Sequence, residues 1–317
     1  MNGENVFLTR LKEGTVAGLK KGWDGFVWMM KIIVPISLCT AILDWSGLLG
    51  HLDFLLKPLM GWLNLPPAAA LPLIIGMLSS VYGGIAAMIV FPFSKAQMTL
   101  MAVFIMTAHA LIQEGIIQGQ SGIHPLKATL VRIGAAVVTV LLMVPWVGSS
   151  TVMPAATDGL LSVSPAFSEM IRHWAWTTFH LTTKIFFIIM ALLTLLELLK
   201  AFGWIHPFVR ALEPFLRVMG LDRKVGFLWM TAVIFGLSYG GAIIVEEAKS
   251  GRLSREDLEL LHLSIGTNHS MVEDPPLFLP LGIHPFWLYV PRLVMAIFIV
   301  RLVRLWQRYA RRPRQTA

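Results

Sequence analysis

Residues 59–94 read LMGWLNLPPAAALPLIIGMLSSVYGGIAAMIVFPFS, and this stretch contains no Asp, Glu, Lys or Arg. Residues 133–157 form a second stretch without any of these four residue types. An apolar run of about 18 residues or more is long enough to cross the hydrocarbon layer of a membrane as a helix. Neither stretch alternates polar with apolar residues, as the strands of a membrane β-barrel do. The two stretches therefore predict an all-α, polytopic membrane protein.

The composition of the whole chain supports the same class. Of 317 residues, 56% are hydrophobic and 14% are charged, whereas about a quarter of the residues in a soluble domain are charged. The formal net charge is +8, but no aromatic-basic pattern typical of nucleic-acid binding accompanies it, so nucleic acid is not an expected partner. Basic residues near both chain ends fit the positive-inside rule and predict cytoplasmic termini in the plasma (inner) membrane. They are Arg10, Lys12, Lys20 and Lys21 at the start, and Arg301, Arg304, Arg308, Arg311, Arg312 and Arg314 at the end.

The chain contains an internal duplication. The Tyr-Gly-Gly sequence at residues 82–84 recurs at residues 239–241, and the Gly-Ile-His-Pro sequence at residues 122–125 recurs unchanged at residues 282–285. Other landmarks recur in the same order at offsets of 156 to 160 residues. Chance is a poor explanation for so regular a spacing, so we predict two homologous repeats.

The duplication and the charge pattern together predict the domain organisation. The region between the repeats contains no Lys or Arg, so it is expected outside. With both termini inside, each repeat crosses the membrane an odd number of times, and the repeats have inverted topology. Three crossings per repeat with one broken, re-entrant segment, or five crossings per repeat, both satisfy this pattern. The expected segments are a cytoplasmic amphipathic N-terminal segment (1–24), a first repeat (25–148), an external linker (149–171), a second repeat (172–305) and a basic cytoplasmic tail (306–317).

Each Tyr-Gly-Gly sequence lies inside an apolar helical stretch. Paired glycines permit a helix to unwind, and the functional interpretation is a broken helix whose backbone lines a substrate path. Close packing of helices explains the same glycines equally well. The residues of these expected breaks are Ser80, Tyr82, Gly83 and Gly84, and Ser238, Tyr239, Gly240 and Gly241.

The second repeat contains TNHSMVEDPP at residues 267–276. His269 and Glu273 are four residues apart and would share one face of a helix, which is expected to end at Pro275. Carboxylates beside the free carbonyl groups of such a helix end favour a cation, and ionisable groups at membrane depth are usually functional. The predicted substrate or ion site in this repeat is Asn268, His269, Glu273 and Asp274, of which His269, Glu273 and Asp274 are the candidate metal ligands. A proton relay or a site for a polar solute suits these groups as well.

The first repeat has a weaker copy of this cluster, in which Gly115 is the expected helix break. Its candidate residues are His109, Gln113 and Glu114. Arg132 and Arg292 occupy equivalent positions in the two repeats. They neutralise Glu114 and Asp274, bind an anionic group bidentately, or extend to the membrane interface.

These sequences resemble the nucleoside recognition domain, or gate domain, family. The resemblance rests on the duplicated Tyr-Gly-Gly helix and on NHSMVEDP at residues 268–275 with the following Gly-Ile-His-Pro, and it extends over nearly the whole chain. The family includes spore maturation proteins A and B and the membrane part of ferrous-iron transporter B, and concentrative nucleoside transporters have a related gate. The resemblance implies inverted repeats whose re-entrant hairpins meet near the membrane midplane, and a role in transport or gating. The chain has no GTP-binding domain, so GTP-driven iron uptake is not implied.

We therefore expect a membrane transport or gating protein for a small polar solute or a divalent cation, with the site between two inverted repeats. The alternative is a non-transporting partner, an assembly or maturation factor that acts in a complex. Expected partners are the lipid bilayer, the solute or cation, and a second copy or a membrane partner subunit. No cofactor is expected other than a divalent metal or sodium as substrate or coupling ion. The sequence lacks the Walker, His-Glu-x-x-His and Gly-x-Ser-x-Gly motifs, and no enzymatic activity is expected.

Overall fold

The computed structural model describes residues 3–47, 58, 60–148, 166–204, 213–249, 251 and 253–310. All regular elements in these residues are helical, which confirms the predicted all-α class. The α-helices are α1 (Gly3–Trp45), α2 (Ala70–Leu78), α3 (Val81–Met88), α4 (Lys95–Ala108), α5 (Leu111–Gln120), α6 (Pro125–Val147), α7 (Phe167–Ala201), α8 (Glu213–Met219), α9 (Gly226–Lys249), α10 (Arg255–Asn268) and α11 (Pro285–Ala310). Short 3₁₀-helices cover Pro67–Ala69, Arg223–Val225 and Pro275–Leu281.

Four segments of the described chain are long and apolar enough to cross a membrane. One of them combines α4 and α5 and is buried by the rest of the protein, while the other three lie at the periphery. Large apolar side chains on the peripheral helices, such as Leu142, Phe187 and Phe298, are more than half exposed, as expected of side chains that face lipid. The chain is therefore a multi-pass membrane protein. The four segments are Lys95–Gln120, Pro125–Val147, Phe167–Ala201 and Pro285–Tyr309.

Helices α1 and α7 lie side by side and run antiparallel. The ring of Trp45 packs against Phe167 at one end, with 5.3 Å between ring centroids, and Phe7 packs against Phe202 at the other end, at 5.2 Å. Residues 3–24, which belong to the expected amphipathic N-terminal segment (1–24), form the first half of the 43-residue helix α1.

Glycines explain why α1 and α7 can pack so closely. Gly14 and Gly22 of α1 face Leu198 and Met190 of α7, and a Cβ atom on either glycine would touch those side chains. Small residues let two membrane helices approach at backbone distance. Helix α7 begins at Phe167, so the last residues of the expected linker, 167–171, belong to this helix. Residues 149–165 lie outside the described part of the chain.

The two broken segments have the same local structure. Helices α4 and α10 each contain 14 residues, begin at equivalent positions 160 residues apart, and are N-capped by Ser94 and Ser254. Each ends at a histidine with an extended backbone. The next residues, Ala110 and Ser270, have positive φ values of 45° and 51°. The sequence duplication is therefore reproduced by the backbone of these segments.

A second pair of interruptions precedes the two Tyr-Gly-Gly sequences. The chain leaves helical geometry at Ser79, and the side chain of Ser80 caps the new helix α3 by accepting the N–H of Gly83. Helix α9 is interrupted at Gly236, which has φ 75° and ψ 174°. Both interruptions thus lie three residues before the tyrosine, and the paired glycines lie in the helix that follows rather than in the break.

The paired glycines serve helix packing. A Cβ atom on Gly84 would lie 2.8 Å from the side chain of Ile105, and a Cβ atom on Gly241 would lie 2.5 Å from Ile117. Distances this short are sterically forbidden between carbon atoms. The glycines therefore let α3 and α9 approach the central α4 and α5 closely enough to enclose the breaks.

Candidate cation-binding site

Two histidines, one from each repeat, meet in the interior. The Nδ1 atom of His109 lies 3.1 Å from the carbonyl oxygen of Ile105, and Nδ1 of His269 lies 2.8 Å from that of Ile265. A carbonyl oxygen only accepts hydrogen bonds, so both Nδ1 atoms must donate. In a neutral imidazole the Nε2 atom then carries a lone pair. The two Nε2 atoms face each other at 3.1 Å.

A carboxylate completes a triangle of acceptor atoms. Oε1 of Glu114 lies 3.0 Å from Nε2 of His269 and 3.3 Å from Nε2 of His109. Oδ2 of Asp274 lies farther away, 3.8 Å from the same His109 atom. We call His109, Glu114, His269 and Asp274 the central cluster. Three acceptors at these distances repel one another unless a proton or a metal ion lies between them.

The size of the triangle fits a transition metal ion. Zinc binds imidazole nitrogen at about 2.0–2.1 Å, which places neighbouring ligand atoms of a tetrahedral site about 3.3 Å apart. One ligand atom each from His109, His269 and Asp274 lies within 4.8 Å of the others. Glu114 can supply a fourth atom, because its Oε1 is the closest carboxylate oxygen to both rings. Two imidazoles with two carboxylates are a ligand set for Zn, Fe, Mn, Co or Ni ions.

The central cluster is closed to solvent. The four residues are between 0% and 7% exposed. Oδ2 of Asp274 has no hydrogen-bond partner among the described residues. Burying charged groups without full compensation is unfavourable, and such groups in membrane proteins usually serve a function.

Two buried arginines hold the helix ends that carry the histidines. Arg132 donates from Nε to the carbonyl of Thr107 at 3.1 Å and from Nη2 to that of His109 at 2.8 Å. Arg292 makes the same two bonds in the second repeat, to Thr267 at 3.4 Å and to His269 at 2.9 Å. The last carbonyl groups of a helix lack backbone donors, and the guanidinium supplies several in a fixed geometry.

The arginines differ in their remaining contacts. Nη1 of Arg132 forms an ion pair with Oε2 of Glu114 at 2.5 Å, which is one of the alternatives that the sequence left open. No ion pair joins Arg292 to Asp274 among the described residues, and Nη1 of Arg292 lies 3.6 Å from the sulfur of Met106. Neither arginine extends to the interface, because both are buried.

The arginines also explain why two sequence predictions about helix ends are wrong. Helix α10 ends at Asn268 rather than at Pro275, so His269 and Glu273 do not share a helix face. Helix α4 ends at Ala108, and Gly115 lies inside α5 instead of forming the break. Side-chain donors from α6 and α11 satisfy the carbonyl groups at these positions, and the helices end where those donors are available.

The structure distributes the other predicted residues differently. Oε1 of Glu273 accepts a hydrogen bond from the hydroxyl of Tyr82 at 3.0 Å, which links the two repeats. Gln113 is exposed. Asn268 is fully buried, and neither side-chain amide atom has a hydrogen-bond partner in the described part of the protein. Ser238, Tyr239 and Gly240 belong to α9, and the structure describes only their backbone.

Sequence reasoning missed three buried polar residues next to the central cluster. Gln118 donates from Nε2 to the carbonyl of His262 at 3.2 Å, and Nε2 of His262 donates to the carbonyl of Ser121 at 3.1 Å. All three are at most 1% exposed. A residue-by-residue comparison of the repeats could have found them, because their equivalents 160 residues away are the apolar Phe278, Leu281 and Ala102.

Comparison with known proteins supports the resemblance found in the sequence. A model of the family described as "Gate: Nucleoside recognition" matches residues 26–120, which include His109 and Glu114. An uncharacterized membrane protein of Bacillus subtilis (strain 168), YvoD, is 27% identical over 309 residues, covering 94% of this chain and 97% of that protein. No solved structure matches the chain. The resemblance to the gate-domain family is thus confirmed in the first repeat, and the similarity to a membrane protein extends over both.

Proposed function

We propose that this protein transports a divalent cation through the central cluster, or gates its passage. The observation that carries the proposal is the triangle formed by Nε2 of His109, Nε2 of His269 and Oε1 of Glu114. These three acceptors need a proton or a metal ion between them, and their spacing fits the ligand atoms of a metal ion. A site that was only structural would place donors opposite acceptors.

The ligand types favour a transition metal over calcium or magnesium. Calcium and magnesium take oxygen ligands, whereas imidazole pairs bind Zn, Fe, Mn, Co and Ni ions. A small polar solute is the other candidate cargo. The unpartnered amide of Asn268 supports it, because this side chain offers both a donor and an acceptor.

The arrangement of the repeats supports movement of the cargo across the membrane. The helices that open the repeats, α1 and α7, run antiparallel, as inverted repeats require. Each repeat contributes one broken segment to the central cluster. In transporters built this way, one repeat rocks against the other around a fixed site between them. We place the protein in the plasma membrane with both termini in the cytoplasm, on the basis of its basic chain ends.

Equilibrium binding tests this proposal. Purified protein in detergent is titrated with Zn²⁺, Mn²⁺ and, as a polar solute, uridine. We expect a divalent metal to bind the wild type, and His269→Gln to weaken that binding at least about tenfold. His124→Gln is the matched control, since His124 is exposed. Equal metal binding by the wild type and His269→Gln, or no metal binding at all, would contradict a cation site.

A further inference from the structure

Gln118, Ser121 and His262 form a hydrogen-bonded group between the central cluster and one end of the protein, which we call the polar file. The side chain of Gln118 donates to the backbone carbonyl of His262, and the ring of His262 donates to the backbone carbonyl of Ser121. At its inner end, Gln118 follows Glu114 by four residues and so lies one turn further along the same face of α5. Its amide lies close to Arg132, because a Cβ atom on Gly266 would lie 3.2 Å from Nε2 of Gln118 and 3.3 Å from Cγ of Arg132. The file therefore begins beside the arginine that pairs with Glu114.

Charged residues that contact solvent lie one helical turn beyond His262. His262 lies one turn after Glu259 on α10. Glu259 pairs with Lys127, whose side chain is 43% exposed, and accepts a hydrogen bond from Gln307 at 2.7 Å. Gln307 belongs to the last turns of α11, and the basic residues that follow this helix place this end on the cytoplasmic side in the topology proposed above.

The polar file contains two acceptor atoms that nothing in the described structure satisfies. Oε1 of Gln118 and Nδ1 of His262 are buried and have no hydrogen-bond partner there. Because Nε2 of His262 donates to the carbonyl of Ser121, Nδ1 of the neutral ring carries a lone pair. A buried acceptor without a donor is unfavourable by about 1–3 kcal/mol. Water molecules or protons would supply the missing donors.

The fold itself does not require polar residues at these positions. The equivalent of each residue in the opposite repeat is apolar: Phe278 for Gln118, Leu281 for Ser121 and Ala102 for His262. Phe278 is fully buried, so the corresponding space there is filled by an aromatic ring. If the polar residues served only to join helix ends, the second repeat would need the same device. The buried polar residues consequently lie on one side of the central cluster.

We propose that the polar file conducts protons between the central cluster and one face of the membrane, with His262 as the proton carrier. A water molecule gives a proton to Nδ1 of His262, the ring gives its Nε2 proton to a second water molecule, and rotation of the ring restores the first tautomer, while the free Oε1 of Gln118 orients water between the ring and Glu114. The polar file carries no net charge after each proton has passed through it. The inference rests on the proposed function, since the protons reach the site at which the cation binds. It makes that transporter proton-coupled, with the proton entering or leaving at the Glu259 face.

His262→Gln separates proton conduction from structure. The amide nitrogen of glutamine can still donate to the carbonyl of Ser121, but an amide does not carry a proton at physiological pH. Gln118→Leu is the second variant, because it gives the file an apolar side chain like those of the other repeat. His124→Gln is the control, since His124 is exposed and its side chain does not cap α6.

Proton movement into proteoliposomes is measured with a trapped pH-sensitive dye, after a potassium diffusion potential is imposed with valinomycin, in the presence of Zn²⁺. We expect both file variants to slow the initial rate about tenfold or more and the control to match the wild type. Proton movement at the wild-type rate in His262→Gln, or no protein-dependent proton movement in the wild type, would overturn the proposal that the polar file conducts protons. Zinc binding by the same preparations separates the two proposals. Normal zinc binding with unchanged proton movement contradicts only the file, whereas absent zinc binding contradicts the cation site.

Discussion

Nε2 of His109 and Nε2 of His269 lie 3.1 Å apart, although the two residues are separated by 160 positions in the chain. Each histidine follows the last residue of its helix, and each is fixed by an arginine bound to its carbonyl oxygen. The site therefore exists only where the two repeats meet. A displacement of one repeat away from the other would separate the two histidines.

Replacement of Arg132 should destabilise the protein more than replacement of Arg292. Arg132→Met leaves the buried carboxylate of Glu114 without its ion partner, which is unfavourable by about 3–5 kcal/mol. Arg292→Met removes the hydrogen bonds to two carbonyl groups, whereas Arg292 has no ion pair within the described structure. We expect it to lower the free energy of unfolding by about 1–3 kcal/mol. Unfolding in SDS, followed by tryptophan fluorescence, measures the difference.

The double variant Arg132→Met, Glu114→Gln provides the control for this comparison. Removing the carboxylate charge along with its partner should recover part of the lost stability, because no buried charge is left unpaired. If the double variant is as unstable as the sum of its two single variants, the ion pair does not account for the difference between the two arginines.

Gly236→Ala should disrupt the interruption in α9. Gly236 has φ 75° and ψ 174°, a backbone conformation that is essentially restricted to glycine, and an added Cβ atom would lie 2.6 Å from Oγ of Ser270. We expect a loss of about 1–3 kcal/mol in SDS unfolding. Gly134→Ala is the matched control in α6, where nothing lies within 4 Å of the added Cβ atom. Equal stability of the two variants would show that the interruption is not required.

Tyr82→Phe should weaken the contact between α3 and the second broken segment. The hydroxyl of Tyr82 donates to Oε1 of Glu273 at 3.0 Å, and a hydrogen bond contributes about 0.5–1.5 kcal/mol. Tyr82→Phe should unfold in detergent at a lower midpoint temperature than the control Tyr289→Phe. The hydroxyl of Tyr289 donates to none of the described residues. A midpoint shared by both variants would mean that the Tyr82 hydroxyl does not stabilise the fold.

The duplication made the main features of the fold and of the site predictable. A constant offset of 160 residues marks His109 and His269 as equivalent, and the positions of Arg132 and Arg292 keep that offset. What the sequence could not reveal is where the helices end. Pro275 is the local stop signal, but the arginine donors from neighbouring helices stop α10 earlier, at Asn268.

Two further features depend on contacts that are distant in sequence. Ala110 and Ser270 adopt positive φ values although neither is a glycine, so no local pattern marks these breaks. The predicted metal set assigned Glu273 to the cation, whereas the structure pairs it with Tyr82 and brings Glu114 to the histidines. Local spacing cannot decide which of two neighbouring carboxylates faces a site formed with the other repeat.

Cation uptake tests the central claim most directly. Proteoliposomes that contain a trapped zinc-sensitive dye are exposed to external Zn²⁺, and the initial rate is compared for wild type, His269→Gln and the exposed control His124→Gln. We expect uptake by the wild type and the control, and a rate at least about tenfold lower in His269→Gln because a ligand is lost. Uptake by His269→Gln at the wild-type rate, or no uptake by a wild type that binds zinc, would contradict transport through the central cluster.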